Sequence, residues 1–207
     1  MKYKIILCLL ILAGSHCPAQ QNNWEYRMLR SLEKKRTNSG IRFHKTMSKV
    51  NGVFCLAVPA TLYTTGLINK EKSLKENALF ITESILVSSA ITWSMKKVIN
   101  RQRPAAADPT FTAVLDNRNH SFPSGHTSEA FSMATSLGLK YPKWYILVPA
   151  YGYAAFSGYS RLYLGVHYPT DVLAGAVAGS GSAWLTWKAN QWLQRKHDRK
   201  KKPAPAL

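Results

Sequence analysis

The sequence predicts an all-α fold, a helical bundle of five to six helices that spans a membrane. Three observations predict it. Five helix-length segments carry almost no charge: Val50 to Asn69, Asn77 to Met95, Phe122 to Leu139, Trp144 to Ser160 and Val172 to Trp187. Few stretches alternate apolar and polar residues with the period of two that marks a half-buried strand. The basic residues between the segments fall on alternate connections, as the positive-inside rule requires.

Along the chain, residues 1–19 read as an export signal. Lys2 and Lys4 precede the apolar run Ile5 to Ala13, and Cys17 and Ala19 are the small residues of a cleavage site after Ala19. Left uncleaved, Met1 to Gly14 would be an anchor, short for a span. Cys17 raises the question of a lipoprotein, but His16 before it is too large for the usual acceptor motif. Residues 20–49 form an amphipathic segment. Trp24, Met28, Leu29 and Leu32 stand near helical spacing, on a helix that lies on a membrane surface or on the domain. Asn38-Ser39-Gly40 reads as a break. Residues 50–192 form the main domain, and 193–207 a basic, disordered tail containing the run Arg195 to Lys202.

The segments of the main domain are marginal against the roughly 20 apolar residues a span needs. The mean hydropathy of −0.18 is low for a polytopic protein. An exported soluble bundle with the same core pattern is the alternative. Charge favours the membrane. With residues 21–49 exported and five spans alternating, the inner connections are Lys70 to Lys75, Lys140 to Lys143 and the basic tail. An uncleaved signal gives six spans with the same sidedness. The basic stretch 27–49 is the exception, because it falls outside. Gly175, Gly179 and Ala183 repeat every four residues, which suits close helix packing in lipid.

A formal net charge of +18 over 207 residues points to nucleic acid, an anionic membrane surface or an anionic substrate. No zinc-finger spacing or aromatic-glycine RNA-binding signature is present, which argues against nucleic acid. After signal removal Cys55 is the one cysteine left, and one thiol makes no internal disulfide. No carboxylate cluster offers a metal site, so no cofactor is expected.

Three short clusters carry chemistry. In the first, Lys96 is followed after six residues by Arg103-Pro104. Arginine grips phosphate with a planar fork and lysine adds a point charge. Alone, Lys96 is equally a snorkelling side chain or a charge at a helix C-terminus. The second is Pro123-Ser124-Gly125-His126, just before an apolar run, and it reads as a helix start. Its first-turn N–H groups make an anion site. Gly125 lets backbone approach a ligand, and Ser124 by itself is a plain N-cap. His126, at the positive end of a helix, is placed to give a proton to a leaving oxygen. The third is Ser160-Arg161, then His167, then Asp171. Pro169 suggests a turn entering a helix, from which the Asp171 carboxylate can accept from one imidazole nitrogen and leave the other free to attack. By themselves Asp171 is a helix cap and His167 an interfacial histidine. His120 reads as an exposed loop histidine, and Glu129 as a hydrogen-bonding group within the bundle.

Together, these residues resemble the type 2 phosphatidic acid phosphatase family, with no departure at the matching positions. The resemblance covers about Val50 to Trp187. It implies a fold shared with vanadium haloperoxidases and bacterial class A acid phosphatases. It also implies that His167 attacks phosphorus and becomes a phosphohistidine, His126 protonates the leaving alcohol and Asp171 orients the nucleophile. Lys96, Arg103, Ser124, Gly125 and Arg161 would hold the phosphate oxygens without a metal. The implied substrates are lipid phosphates or pyrophosphates: phosphatidic acid, phosphatidylglycerol phosphate, undecaprenyl pyrophosphate or lipid A. The implied place is the bacterial inner membrane, with the site facing the periplasm. Three other readings stand beside this one: a soluble periplasmic phosphatase of broad specificity, a vanadate-dependent haloperoxidase, for which the chain is short, and a non-enzymatic basic membrane-binding protein. The motifs leave the headgroup and the oligomeric state open.

Overall fold

The computed structural model describes residues 24–115 and 119–201, so the export signal lies outside the described residues. Among those residues the fold is all α. The helices are α1 (Trp24–Lys34), α2 (Asn38–Ile68), α3 (Lys72–Ile99), the single turn α4 (Pro104–Ala107), α5 (Gly125–Lys140), α6 (Trp144–Tyr163) and α7 (Pro169–Lys201).

Local chemistry sets the boundaries. Thr37 caps α2 by accepting from the Gly40 N–H at 3.1 Å, so the break lies just before Asn38. The helix therefore starts twelve residues ahead of the uncharged run that begins at Val50. Arg42 and Lys49 are no obstacle, because both point to solvent. Asn100, left-handed at φ 50°, ends α3, and Pro104 opens the next turn as its first residue. At the other end of the chain, α7 continues to Lys201. Residues 193–201 are thus helical and not the disordered tail the composition suggested. Gln, Lys and Arg are good helix formers and simply extend the preceding helix into water.

The long helices pack as a bundle in which α5 and α7 make the most extensive contact. The small-residue repeat explains it. A Cβ on Gly175 would come within 2.6 Å of the Ser124 carbonyl, and one on Gly179 would overlap the Ser128 carbonyl. Ala183 is fully buried. The backbone of α5 lies where side chains of α7 would otherwise stand. Phe80, Ile81 and Met133 form the core between α3 and α5.

Apolar side chains also cover the outside. Two helices, α2 and the one beginning at Lys72, are long and apolar enough to cross a membrane. Only 22% and 33% of their most apolar stretches are buried. Leu56, Leu86, Val148 and Val177 are each more than 60% exposed. A soluble bundle turns such helices inward, whereas a lipid-facing one leaves them out.

The alternation of helices divides the molecule by chemistry. The turns at 69–71 and 141–143 lie at one end. Residues 100–115 and 119–124 and the loop 164–168 lie at the other, together with the start of α2.

Helix α1 docks on the domain at that second end. Its buried face is Glu25, Tyr26 and Leu29, packed against Phe111, Leu162 and Tyr168. Trp24 and Met28, two of the residues that suggested its apolar stripe, remain 49% and 41% exposed. The buried face is chosen by polar partners. Arg30 bonds Asp108, and Glu33 accepts from the Thr112 N–H.

Candidate active site

The three clusters come from different helices and meet at the α1 end of the bundle. His167 lies on the loop between α6 and α7, buried at 3% exposure. Pro169 starts α7 as its first residue, and Asp171 follows as its third helical residue. Asp171 is therefore not the N-cap. Its Oδ2 reaches back to accept from the Tyr168 N–H at 2.9 Å, the reciprocal half of a capping box. The same oxygen accepts from the Ser121 hydroxyl and lies 3.4 Å from His167 Nδ1. Held on that side, the His167 ring turns Nε2 toward the Arg103 guanidinium, 3.5 Å from Nη1.

Burial pushes the His167 imidazole well down from 6.5, to about 4, with the Arg103 and Lys96 charges acting in the same direction and Asp171 opposing. Such a ring keeps its lone pair at neutral pH. It protonates only as pH falls through about 4. The acid limb of kcat/KM is therefore expected near pH 4 rather than near 6.5, which a pH–rate profile checks.

Arg103 is fixed by two carbonyls, Asn119 through Nε and Val166 through Nη1, both at 2.7 Å. Burial lowers its pKa, yet a guanidinium stays charged. Lys96 donates to the His120 carbonyl at 2.7 Å and more weakly to that of Ser121. Part of its job is thus to hold the loop before α5, and it does not simply snorkel. His120 is half-buried, not an exposed loop histidine, because its carbonyl is tied to Lys96.

Arg161 is the most telling of the cations. It is 2% exposed, and neither Nε nor Nη2 has a hydrogen-bond partner among the described residues. A buried guanidinium with idle donors is costly unless an anion completes it.

His126 stands in the first turn of α5. Its ring bonds the Ser48 backbone, and it lies within electrostatic reach of Arg161, His167 and Arg103. Ser124 occupies the N-cap position but makes no side-chain cap bond. Its hydroxyl accepts from Thr127 at 2.9 Å, and its N–H donates to the Asp171 carbonyl. A Cβ on Gly125 would find its nearest neighbour, Thr92, at 4.0 Å. That glycine is therefore not forced by protein packing, and space is left at the N-terminus of α5. His126, His167, Arg103, Arg161 and Lys96 thus lie close enough at this end of the bundle to act on one another electrostatically.

Sequence reasoning missed the residues behind the site. Arg101 ties Asp171 Oδ1 at 2.7 Å to Glu25 of α1 at 2.6 Å. Arg101 stands two residues before Arg103 and was the signal available. Nothing local marks Glu25. Asn51 was missed too. Fully buried on α2, it accepts from Tyr153 and Ser157 of α6 and donates toward the His126 carbonyl and Glu129 of α5. Glu129 also accepts from Ser89, so it bonds within the bundle as expected. Among the described residues no cluster of histidine, cysteine and carboxylate has the form of a metal site.

A family model described as the PAP2 superfamily matches residues 77–195, more than half of the chain. The chain belongs to the PAP2 superfamily. Among curated relatives of this superfamily member, an undecaprenyl-diphosphatase of Sulfolobus acidocaldarius is 30% identical over 123 residues, 59% of each chain. A lipid A 4'-phosphatase of Bacteroides thetaiotaomicron is 39% identical over 64 residues, 31% of this chain and 28% of that one. The matched region thus spans under two thirds of these relatives' length. The crystal structure of Aquifex aeolicus LpxE superposes with a TM-score of 0.71 at 25% identity, covering 83% of this chain and 99% of that one. A transmembrane PAP2-type phosphatidylglycerolphosphate phosphatase from Bacillus subtilis has the same fold, with a TM-score of 0.71 over 96% and 95% of the two chains.

Proposed function

We propose that this chain is a membrane phosphatase that hydrolyses a lipid phosphate or pyrophosphate through a phosphohistidine, without a metal. The observation that carries the reading is the pairing of a buried, neutral His167, backed by Asp171, with an Arg161 whose Nε and Nη2 have no hydrogen-bond partner among the described residues. The relatives act, by their names, on undecaprenyl diphosphate and lipid A, which supports a lipid substrate.

In this mechanism Lys96, Arg103 and Arg161, with the Ser124 hydroxyl and the Gly125 N–H, hold the phosphoryl oxygens. They supply the positive charge that the transition state needs. Nε2 of His167 attacks phosphorus as the ester or anhydride bond to the leaving oxygen breaks, and His126, protonated when the anionic substrate lies beside it, gives that oxygen its proton. Water then attacks the phosphohistidine, His126 takes back a proton, and phosphate leaves. Asp171 holds the Nδ1–H tautomer throughout.

The site lies at the end of the bundle away from the lysine-rich turns at Lys70 to Lys75 and Lys140 to Lys143. With those turns in the cytoplasm, the site faces the periplasm.

The test is phosphate release by the purified protein from a panel of lipid phosphates, with chelator present. Hydrolysis of at least one is expected. No hydrolysis of any, or activity only in the soluble fraction after osmotic shock, would reject the lipid-embedded reading. His126→Ala checks the acid. It is expected to slow alkyl lipid phosphates by about 10²–10⁴-fold and aryl phosphates much less, since a good leaving group needs little protonation. Equal losses on both would show that His126 is not the acid.

A further inference from the structure

Helix α1 lies outside the residues that match the family model, yet it bonds both loops that carry the site. Tyr26 donates to the Pro104 carbonyl and meets the Tyr168 hydroxyl, each at 3.0 Å. Arg36, just after the helix, donates to the Tyr163 carbonyl at 2.7 Å. Most telling is Glu25, whose side chain is 6% exposed. One of its oxygens accepts from the Thr170 hydroxyl and N–H at the start of α7. The other meets Arg101 at 2.6 Å. Arg101 lies 3.9 Å over the Tyr168 ring, and its second nitrogen meets Asp171.

We propose that Glu25 and Arg101 are positioning residues that set the charge and orientation of Asp171 behind His167, and that α1 is thereby part of the active site. The inference rests on the phosphohistidine reading above. Its physical basis is a count of charges. As Nε2 attacks phosphorus, the His167 ring becomes cationic. The charged and titratable groups acting on it are Lys96 from α3, Arg103 from the loop after it, His126 from α5 and Asp171 from α7, with Arg101 behind Asp171. Only Asp171 among these is an anion.

A lone Arg101 would cancel that anion. Glu25 shares the guanidinium, so the row Glu25, Arg101 and Asp171 keeps a net charge of −1. That leaves a counter-charge for the attacking imidazole. The shared bonds also hold Arg101 between two oxygens, and with it the start of α7 that carries Asp171. Against the pull of burial, Asp171 and Glu25 push the Arg101 pKa up, so the guanidinium stays charged.

The experiment compares wild type, Glu25→Gln, Glu25→Asp, the double variant Glu25→Gln with Arg101→Gln, and His167→Ala. Phosphate release from mixed detergent–lipid phosphate micelles is followed from pH 3.5 to 9, and thermal melting reports folding. Glu25→Gln removes one negative charge at nearly constant shape. Its kcat is expected to fall about tenfold with KM unchanged, and its acid limb to move down by about half a pH unit, since a more positive surrounding disfavours the protonated ring. Glu25→Asp restores most of the rate. The double variant returns the net charge to −1, so its acid limb returns toward wild type.

A Glu25→Gln enzyme with wild-type kcat and acid limb overturns the inference. So does a loss of active protein with an unmoved limb, which is what a purely structural role gives. If Glu25→Gln does not fold, the double variant, which leaves no unpaired cation beside Asp171, carries the same test: an acid limb still displaced from wild type overturns the inference. A wild type inactive on every lipid phosphate removes the underlying reading and the inference with it. An active wild type and an inert His167→Ala isolate the inference from that failure.

Discussion

Replacing His167 by alanine is expected to abolish turnover, lowering kcat by at least roughly 10⁴-fold, and to prevent any acid-labile phosphoenzyme from accumulating. The size follows from the reaction route. Without Nε2 the first step has no nucleophile, and water must attack an anionic phosphate directly. The cations still hold the substrate, so KM is expected to change little. Rapid quench with a ³²P-labelled lipid phosphate, followed by acid and base treatment of the protein, reads both quantities. A labelled, acid-labile adduct in the alanine variant would move the nucleophile elsewhere, and His126 would be the next imidazole to examine.

The second large effect has two opposed parts. Arg161→Met is expected to lower kcat/KM by about 10²–10³-fold, the size seen when one preorganised donor to a transition-state oxyanion is removed. The same change is expected to stabilise the unliganded protein by roughly 1–2 kcal/mol, because it replaces a desolvated, unpartnered charge with an apolar chain of similar length. Thermal melts in detergent check the sign. Inorganic phosphate or vanadate is expected to raise the melting temperature of wild type and not of the variant, since ligand binding to the folded state is what stabilises it. A variant that melts earlier than wild type, or that still gains from phosphate, would mean Arg161 is a structural residue.

Much of the architecture is legible in the primary structure because it rests on local rules. The uncharged segments mark helices, and the proline at 169 marks a helix start, with little help from neighbours. The four-residue repeat of Gly175, Gly179 and Ala183 announces a close helix contact. Only the folded chain says that the partner is α5, where the Ser128 carbonyl leaves no room for a side chain. Helix α1 shows the limit more sharply. Its apolar spacing points to Trp24 and Met28, but the buried face is Glu25, Tyr26 and Leu29. Burial there is decided by hydrogen-bond partners 76 to 145 residues away in the chain, which no window of sequence contains.

The site divides along the same line. Residue types and spacings alone nominated two histidines, three cations and a carboxylate for phosphate chemistry, because that chemistry needs those groups whatever holds them. How they are held belongs to the tertiary structure. It turns Lys96 partly into a brace for the His120 carbonyl, makes Asp171 the third residue of α7 and not its cap, and leaves two buried nitrogens of Arg161 without a hydrogen-bond partner among the described residues. It also recruits Arg101 and Glu25 behind the nucleophile. Composition and periodicity act through neighbours along the chain and are written into it. Charge compensation in a buried site acts through space, and its partners are known only once the helices have packed.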